Sequence, residues 1–509
     1  MTDVEQPPVR FNMAAYCVGR AAAQRPSAPA LLVIEDAAAA NPAELWTFAE
    51  LEAAVLRVAG ALKQAGLEPG ARIMIRLENT SAYALLFFGA IAGGFVPLPT
   101  STQLTAAEAG FLLRDSEADA IAMGHGLEVD AVPSGVRIFE AGEVARMITD
   151  GPPAAFADTA ADDPAFLMYT SGTTAHPKGV LHGQRSAFGR RPMYQGWYGI
   201  RPDDRMMHAG AFNWTYTLGV GLTDPWANGA TSIIYTGERD PGLWPRLIRQ
   251  SGATLFAAVP GLYRQIMKYG RPGRDDLGAL RHGLVAGESP PPGLFEEWSA
   301  ATGREIYEAL GMSEISTYVS CSPTVPRKPG AVGKPQAGRR VAILPLEDGT
   351  EPLPAGEEGL LAVHRSDPGL MLGYWRRPEE EAAAMRGEWF IGGDVASMDA
   401  DGYVAHHGRA NDIMKALGYR VSPLEVEAVL LQHPGIAEVA CTEVRVRSDV
   451  SVIGAFIVPR PGAVLDVPEL ERFSAERLAA YKRPRLFNFV AELPRTANGK
   501  IVRARLKLP

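Results

Sequence analysis

The sequence predicts an α/β fold in two parts. A large N-terminal domain has layered, parallel-rich sheets with helices, and a small α+β domain follows at the C-terminus. Three observations carry this expectation. Helix-patterned and strand-patterned segments alternate along most of the chain. The strand-like runs are short, apolar and bounded by Gly, Pro or Asp. Past residue 408 the texture changes, opening on a polar turn.

Taken in order, LEAAVLRVAGALKQAG (51–66) places apolar residues at helical spacing, and the strand-like ARIMIRL (71–77) follows a glycine-containing turn. YALLFFGAIAGGFV (83–96) is the most membrane-like stretch. It stops at Pro97, short of the roughly 20 residues a span requires, so it predicts a buried helix over 81–92 leading into FVPLP. The helix-to-strand alternation recurs at 245–259 and 294–307. DGPPAAFADTAADDP (150–164) reads as a linker or surface loop, and AFLMYT after it as a strand. In the tail, a polar turn and short strand precede a helix from about Ser422. IGAFIVP, LERFSAERLAAY and FNFVAEL then alternate strand and helix over a unit of normal domain size. The expected division is a domain over 1–408, a hinge over 409–412 and a small domain over 413–509.

Composition narrows the function classes. Apolar residues make up 47% of the 509 and charged residues 21%, the balance of a water-exposed globular chain. A net charge of −8 without a basic patch argues against a nucleic-acid partner. Cys17, Cys321 and Cys441 lie too far apart to suggest a zinc site or disulfide framework, and small buried thiols are the expectation. MTDVEQPPVRF has acids and prolines where a signal peptide carries basic and apolar regions, so the expected location is the cytoplasm, with no membrane span.

YTSGTTAHPKG (169–179) has neither helical nor strand period. A Walker-type loop fails on spacing, because the lysine precedes the second glycine and no hydroxyl follows it. The residue chemistry still suits polyphosphate. Ser171, Thr173 and Thr174 offer hydroxyls, Gly172 allows close backbone approach, Lys178 adds positive charge and Pro177 stiffens the exit. Hydroxyls can also ligate Mg²⁺.

This string resembles the phosphate loop of the adenylate-forming enzymes, in the branch of acyl-CoA synthetases and acid–CoA ligases. Four further segments resemble that family's motifs in the family's order: LVAGESPPPGLFEEW (284–298), REIYEALGMSEIS (304–316), the stretch 387–427 with GGD and GRAND, and LPRTANGKI (493–501).

The resemblance implies a reaction. A carboxylate attacks the α-phosphate of ATP to give acyl-AMP and pyrophosphate, the small domain rotates, and coenzyme A gives acyl-CoA and AMP. It also implies roles. Lys500 is the catalytic lysine at the acid and α-phosphate. Thr170, Ser171, Gly172, Thr173, Thr174 and Lys178 hold the β- and γ-phosphates. Glu314, with Thr173, is the Mg²⁺ ligand, and Ser313 contacts phosphate. Gly287, Glu288, Ser289, Ala309, Leu310, Gly311 and Met312 line the nucleotide. Asp394 and Arg409 take the ribose, Asn411 is the hinge, and Gly418 and Tyr419 line the coenzyme A tunnel. Trp214, with Gly287 and Gly311, bounds the acid pocket.

Three positions depart from the family pattern: Ala175 for glycine, Leu310 for an adenine-stacking tyrosine, and Asn411 for the hinge aspartate. WTYTLG and PWANGA in 206–233 resemble medium-chain acyl-CoA synthetases, and EALGMSE resembles benzoate-type ligases, so the expected acid is small, medium-chain or compact aromatic. Two alternatives stay open. One is a free-standing adenylation enzyme that loads a carrier protein, since no carrier-like segment follows Lys500. The other is a non-catalytic nucleotide-binding regulator, against which the retained Lys178, Glu314, Asp394, Arg409 and Lys500 speak. A homodimer is common in the family, and the sequence identifies no interface.

Overall fold

The computed structural model describes the chain except for residues 1–4, 40, 171–176, 289, 292, 411, 413, 417–418, 448–449, 479, 496–500 and 507–509. Two compact units emerge. The first comprises Met1–Ser289, Phe295–Arg340 and His364–Glu388, and the second Pro290–Leu294, Val341–Val363 and Trp389–Pro509. Residues 409–412 belong to the second unit.

The first unit is built on a nine-stranded sheet. Six parallel strands form its middle, in the order Glu305–Met312, His282–Ala286, Leu255–Ala258, Arg205–His208, Thr231–Tyr235 and Pro29–Ile34. Antiparallel strands close both edges. A second sheet of Val96–Pro99, Arg72–Arg76, Ala120–Met123 and Arg137–Glu140 is parallel throughout. Parallel strands need crossovers, and helices supply them, which is why the sequence alternates.

The helix Phe48–Gln64 starts at a capping box in which Thr47 and Glu50 satisfy each other's backbone amides, and it buries Leu51, Val55, Val58 and Leu62 at helical spacing. The helix Ser81–Ala92 is buried on nearly all sides, as its unbroken apolar run requires. Gly89 lets the two helices cross closely, because a Cβ there would stand 2.4 Å from Val58 Cγ1. Among the described residues no helix is long and apolar enough to cross a membrane. All three cysteines are buried thiols.

Segment 150–164 is a packed strap within the first unit and no interdomain linker. Ala154 N donates to Leu56 O at 3.1 Å and Ala157 N to Ala92 O at 2.7 Å, so its Pro- and Ala-rich backbone covers the helix pair. Gly60 makes room, since a Cβ there would meet Pro152 O at 1.8 Å.

The second unit holds a sheet from Val341–Leu344, Glu358–His364, Trp389–Met398 and Val404–Arg409. Beyond it, a short hairpin (Met414–Ala416 with Tyr419–Val421) precedes the helix Pro423–Leu430, whose N-cap is Ser422. Strands Ile436–Arg447, Val450–Pro459 and Leu486–Phe489 form a further sheet, accompanied by the helix Val467–Arg477. Its core gathers Val426, Leu430, Val439, Cys441, Ile457 and Leu470.

Candidate active site

The hydroxyl-rich string begins and ends in a β-hairpin. Strands Pro164–Thr170 and Lys178–Gly183 pair antiparallel, with Tyr169 opposite Gly179 and Thr170 opposite Lys178. Ser171, Gly172, Thr173, Thr174 and Ala175 lie outside the described residues. The short strand Gly373–Tyr374 adds to the same hairpin, with Tyr374 opposite Val180. That register brings Tyr374 beside Lys178. The Lys178 ammonium stands 5.4 Å from the ring centre and pairs with the Glu380 carboxylate.

Tyr374 also reaches Glu314, donating its hydroxyl to Oε1 at 2.8 Å. Glu314 sits in the turn between the strands Glu305–Met312 and Ser316–Ser320, and Met371 N donates to its carbonyl at 2.7 Å. Lys178 and Glu314 therefore meet the same tyrosine, although 136 positions separate them in the chain (314 − 178). Gly311 precedes this turn at a register shift, and a Cβ there would stand 2.4 Å from Ser316 O. Ala309, Leu310 and Met312 lie on the same strand, with Ser313 next to Glu314.

Gly287 leaves the strand His282–Ala286 with φ +99°, where glycine is favoured. A Cβ at Gly287 would stand 3.5 Å from the tip of the Trp214 ring, so glycine backbone faces the indole. Glu288 accepts from Gly261 N at 3.3 Å, and Ser289 lies outside the described residues. Behind Trp214 the Tyr216 ring packs edge-on at 6.4 Å, and the His208 ring follows at 4.5 Å from Tyr216. Burial pushes His208 down to about 3, so it is neutral at physiological pH. On the strand Glu305–Met312, burial pushes the Glu308 carboxyl up to about 8, with Arg327 opposing.

In the second unit Asp394 and Arg409 face each other as an antiparallel pair. Asp394 is 4% exposed, with Arg409 Nε at 3.4 Å and His406 Nε2 at 3.0 Å from Oδ1. The strand Tyr419–Val421 contains Tyr419. Asn411, Gly418 and Lys500 lie outside the described residues.

Sequence reasoning missed Tyr374, Glu380 and His406. The first two belong to GYWRRPEEE, whose only local signal is an aromatic pair against a charge run, and His406 is in VAHHGR, which ends at Arg409. Tyr374 and His406 reach the site by strand pairing and Glu380 from the helix Pro378–Ala383, and no local pattern displays either.

This arrangement can be compared with known proteins. Residues 18–375 match the AMP-binding enzyme family, and residues 425–500 match the AMP-binding enzyme C-terminal domain. The chain belongs to the AMP-binding enzyme family.

This AMP-binding enzyme is similar to 3-hydroxybenzoate–CoA ligase of Aromatoleum sp. (strain CIB), at 30% identity over 98% of both chains. It is 31% identical to benzoate–CoA ligase of Thauera aromatica, over 91% of this chain and 90% of that one. The crystal structure of a benzoate CoA ligase from Burkholderia xenovorans LB400 superposes with a TM-score of 0.86 at 30% identity, covering 97% of this chain and 99% of that one.

Magnesium takes hard oxygen donors, and the Glu314 carboxylate is such a donor. Among the described residues no group of three or more His, Cys, Asp or Glu forms a protein cage for a metal. A single carboxylate, with the Lys178 cation at the same tyrosine, suits an ion that keeps water and phosphate as most of its ligands, so the residues fit.

Proposed function

We propose that this AMP-binding enzyme is an ATP-dependent acid–CoA ligase for a compact aromatic acid of the benzoate class. The observation that carries the reading is the meeting of Lys178 and Glu314 at Tyr374, which joins a phosphate-loop cation to a metal-ligand carboxylate. The relatives named for benzoate and 3-hydroxybenzoate support the acid class. So does the Trp214 indole against Gly287, a flat apolar wall suited to a ring.

In the first half-reaction a carboxylate oxygen attacks the α-phosphorus, the bond to the bridging oxygen breaks and pyrophosphate leaves. Charge grows on the departing group, so positioned cations contribute most. Lys178 and the hydroxyls of Thr170, Ser171, Thr173 and Thr174 hold the β- and γ-phosphates, with Gly172 allowing close approach. Lys500 would supply its charge to the acid and α-phosphate. Bound Mg²⁺ supplies positive charge to the polyphosphate oxygens, with Glu314 and Thr173 as its protein ligands. Asp394, oriented by His406 and Arg409, accepts from the ribose hydroxyls. Gly287, Glu288, Ser289 and 309–313 line the adenine side, where Leu310 offers apolar contact in place of aromatic stacking.

In the second half-reaction residues 413–509 turn about Asn411. Gly418 and Tyr419 line the pantetheine path. The thiol loses its proton and attacks the carbonyl carbon, and AMP leaves with the former carboxylate oxygen. We place the enzyme in the cytoplasm, where ATP and coenzyme A are both available.

Pyrophosphate exchange measured across an acid panel, with and without coenzyme A, tests the reading. Benzoate-class acids should support exchange and yield the acyl-CoA. Exchange without any acyl-CoA would point to a carrier protein as acceptor, and no exchange with any acid would overturn the ligase reading.

A further inference from the structure

The turn that carries Glu314 ends on an anomaly. Ser316 adopts φ +73°, a left-handed backbone that residues with a Cβ rarely take. Gly311 packs directly beneath it, with the Ser316 carbonyl 2.4 Å from where a Cβ would stand. The turn is thus squeezed from below and strained at its exit, and something must hold it.

Arg190 is placed to do so. Its Nη1 donates to Ser316 Oγ, while Nε and Nη2 donate to the two Asp224 oxygens at 2.8 and 2.6 Å. Asp224 is fully buried and takes a further bond from the Tyr198 hydroxyl at 2.8 Å. The guanidinium lies across Gly219, where a Cβ would approach Nη2 to 2.0 Å, so the helix is shaped to admit it. A fork fixed at two nitrogens has its third direction fixed as well. Arg190, Ser316 and Ser313 also line a small cavity of about 20 Å³, reached by His182 from the strand Lys178–Gly183. That volume holds about one water.

We propose that Arg190, anchored by Asp224, is a positioning residue that holds the strained Ser316 backbone and thereby aims Glu314 at the metal-bearing polyphosphate. The inference rests on the ligase reading above. The Arg190 guanidinium is directed to Asp224 and Ser316. It acts on Glu314 through two residues of backbone.

The test uses Ser316, because replacing Arg190 would leave a buried carboxylate without its partner. Ser316→Ala removes the held oxygen and keeps the strain. Ser316→Gly removes the oxygen and the strain together. Two readouts are followed for the intact chain: thermal stabilisation by ATP with Mg²⁺ against ATP with chelator, and acid-dependent pyrophosphate exchange against Mg²⁺ concentration. Ser316→Ala should lose the Mg²⁺ increment in thermal stabilisation while keeping the shift from ATP alone. Its Mg²⁺ requirement in exchange should rise about tenfold, the lower end of the loss when a group that orients a metal ligand is removed. Ser316→Gly should recover most of both.

A lower melting temperature in Ser316→Ala with the Mg²⁺ increment and Mg²⁺ requirement unchanged would overturn the inference, since a merely structural contact moves only the first. Ser316→Gly as impaired as Ser316→Ala would overturn the role of strain. No exchange by the unsubstituted chain with any acid would sink the ligase reading and this inference with it.

Discussion

Tyr374 donates its hydroxyl to Glu314 Oε1 at 2.8 Å while its ring centre lies 5.4 Å from the Lys178 ammonium. One side chain therefore sets both the carboxylate and the cation. Tyr374→Phe keeps the ring and deletes the bond to Glu314. A hydrogen bond to a charged group is worth roughly 1.5–3 kcal/mol, so kcat/KM for MgATP should fall about tenfold or more. Tyr374→Leu should fall further, because the ring under Lys178 is lost too. Steady-state exchange at varied MgATP reads both.

Glu380 occupies the Lys178 ammonium that the polyphosphate would use. The pair is partly exposed, at 19% and 31% of the two side chains, so its strength is that of a screened ion pair. Glu380→Gln should lower the KM for ATP by about two- to fivefold with kcat little changed. A raised KM would show that Glu380 orients Lys178 and does not compete for it.

Asp394 is buried beside His406 and Arg409. Asp394→Asn keeps the shape and loses the charge. The KM for ATP should rise about tenfold, as for a lost charge-assisted bond. 2′-Deoxy-ATP should lose less against the variant than against the unsubstituted enzyme, because the ribose contact is already weakened.

Glu308 gives a pH prediction. Burial raises its carboxyl from 4.5 to about 8 in the folded chain. Between those values the folded state keeps a proton that the unfolded state has released. Its contribution is full below 4.5 and is lost as pH rises to about 8. Glu308→Gln should flatten that part of the melting-temperature profile, with the variant gaining on the unsubstituted enzyme toward the alkaline end. Parallel profiles for the two proteins would contradict the assignment.

Periodicity carried much of the fold. The helices Phe48–Gln64 and Ser81–Ala92 and the N-cap at Ser422 were legible because their burial follows local spacing. Segment 150–164, expected as a linker or surface loop, is a surface stretch whose Pro- and Ala-rich composition hides backbone bonds made to Leu56 and Ala92, far away in sequence. The site was legible where a motif is continuous, as in the hairpin bearing Lys178 and the turn bearing Glu314. Tyr374, Glu380 and Arg190 were not legible, because they reach those motifs through strand pairing, a helix-borne ion pair and a buried ion pair respectively. The strain at Ser316 is a backbone angle, and a serine in sequence gives no sign of it.

The central claim is that the acid is activated as its adenylate and passed to coenzyme A. Benzoate labelled with ¹⁸O in both carboxylate oxygens tests it in one turnover. If the carboxylate attacks the α-phosphorus, AMP carries one ¹⁸O atom, the acyl-CoA keeps the other, and pyrophosphate carries none. Label in orthophosphate released with ADP, or AMP without label, would contradict the account.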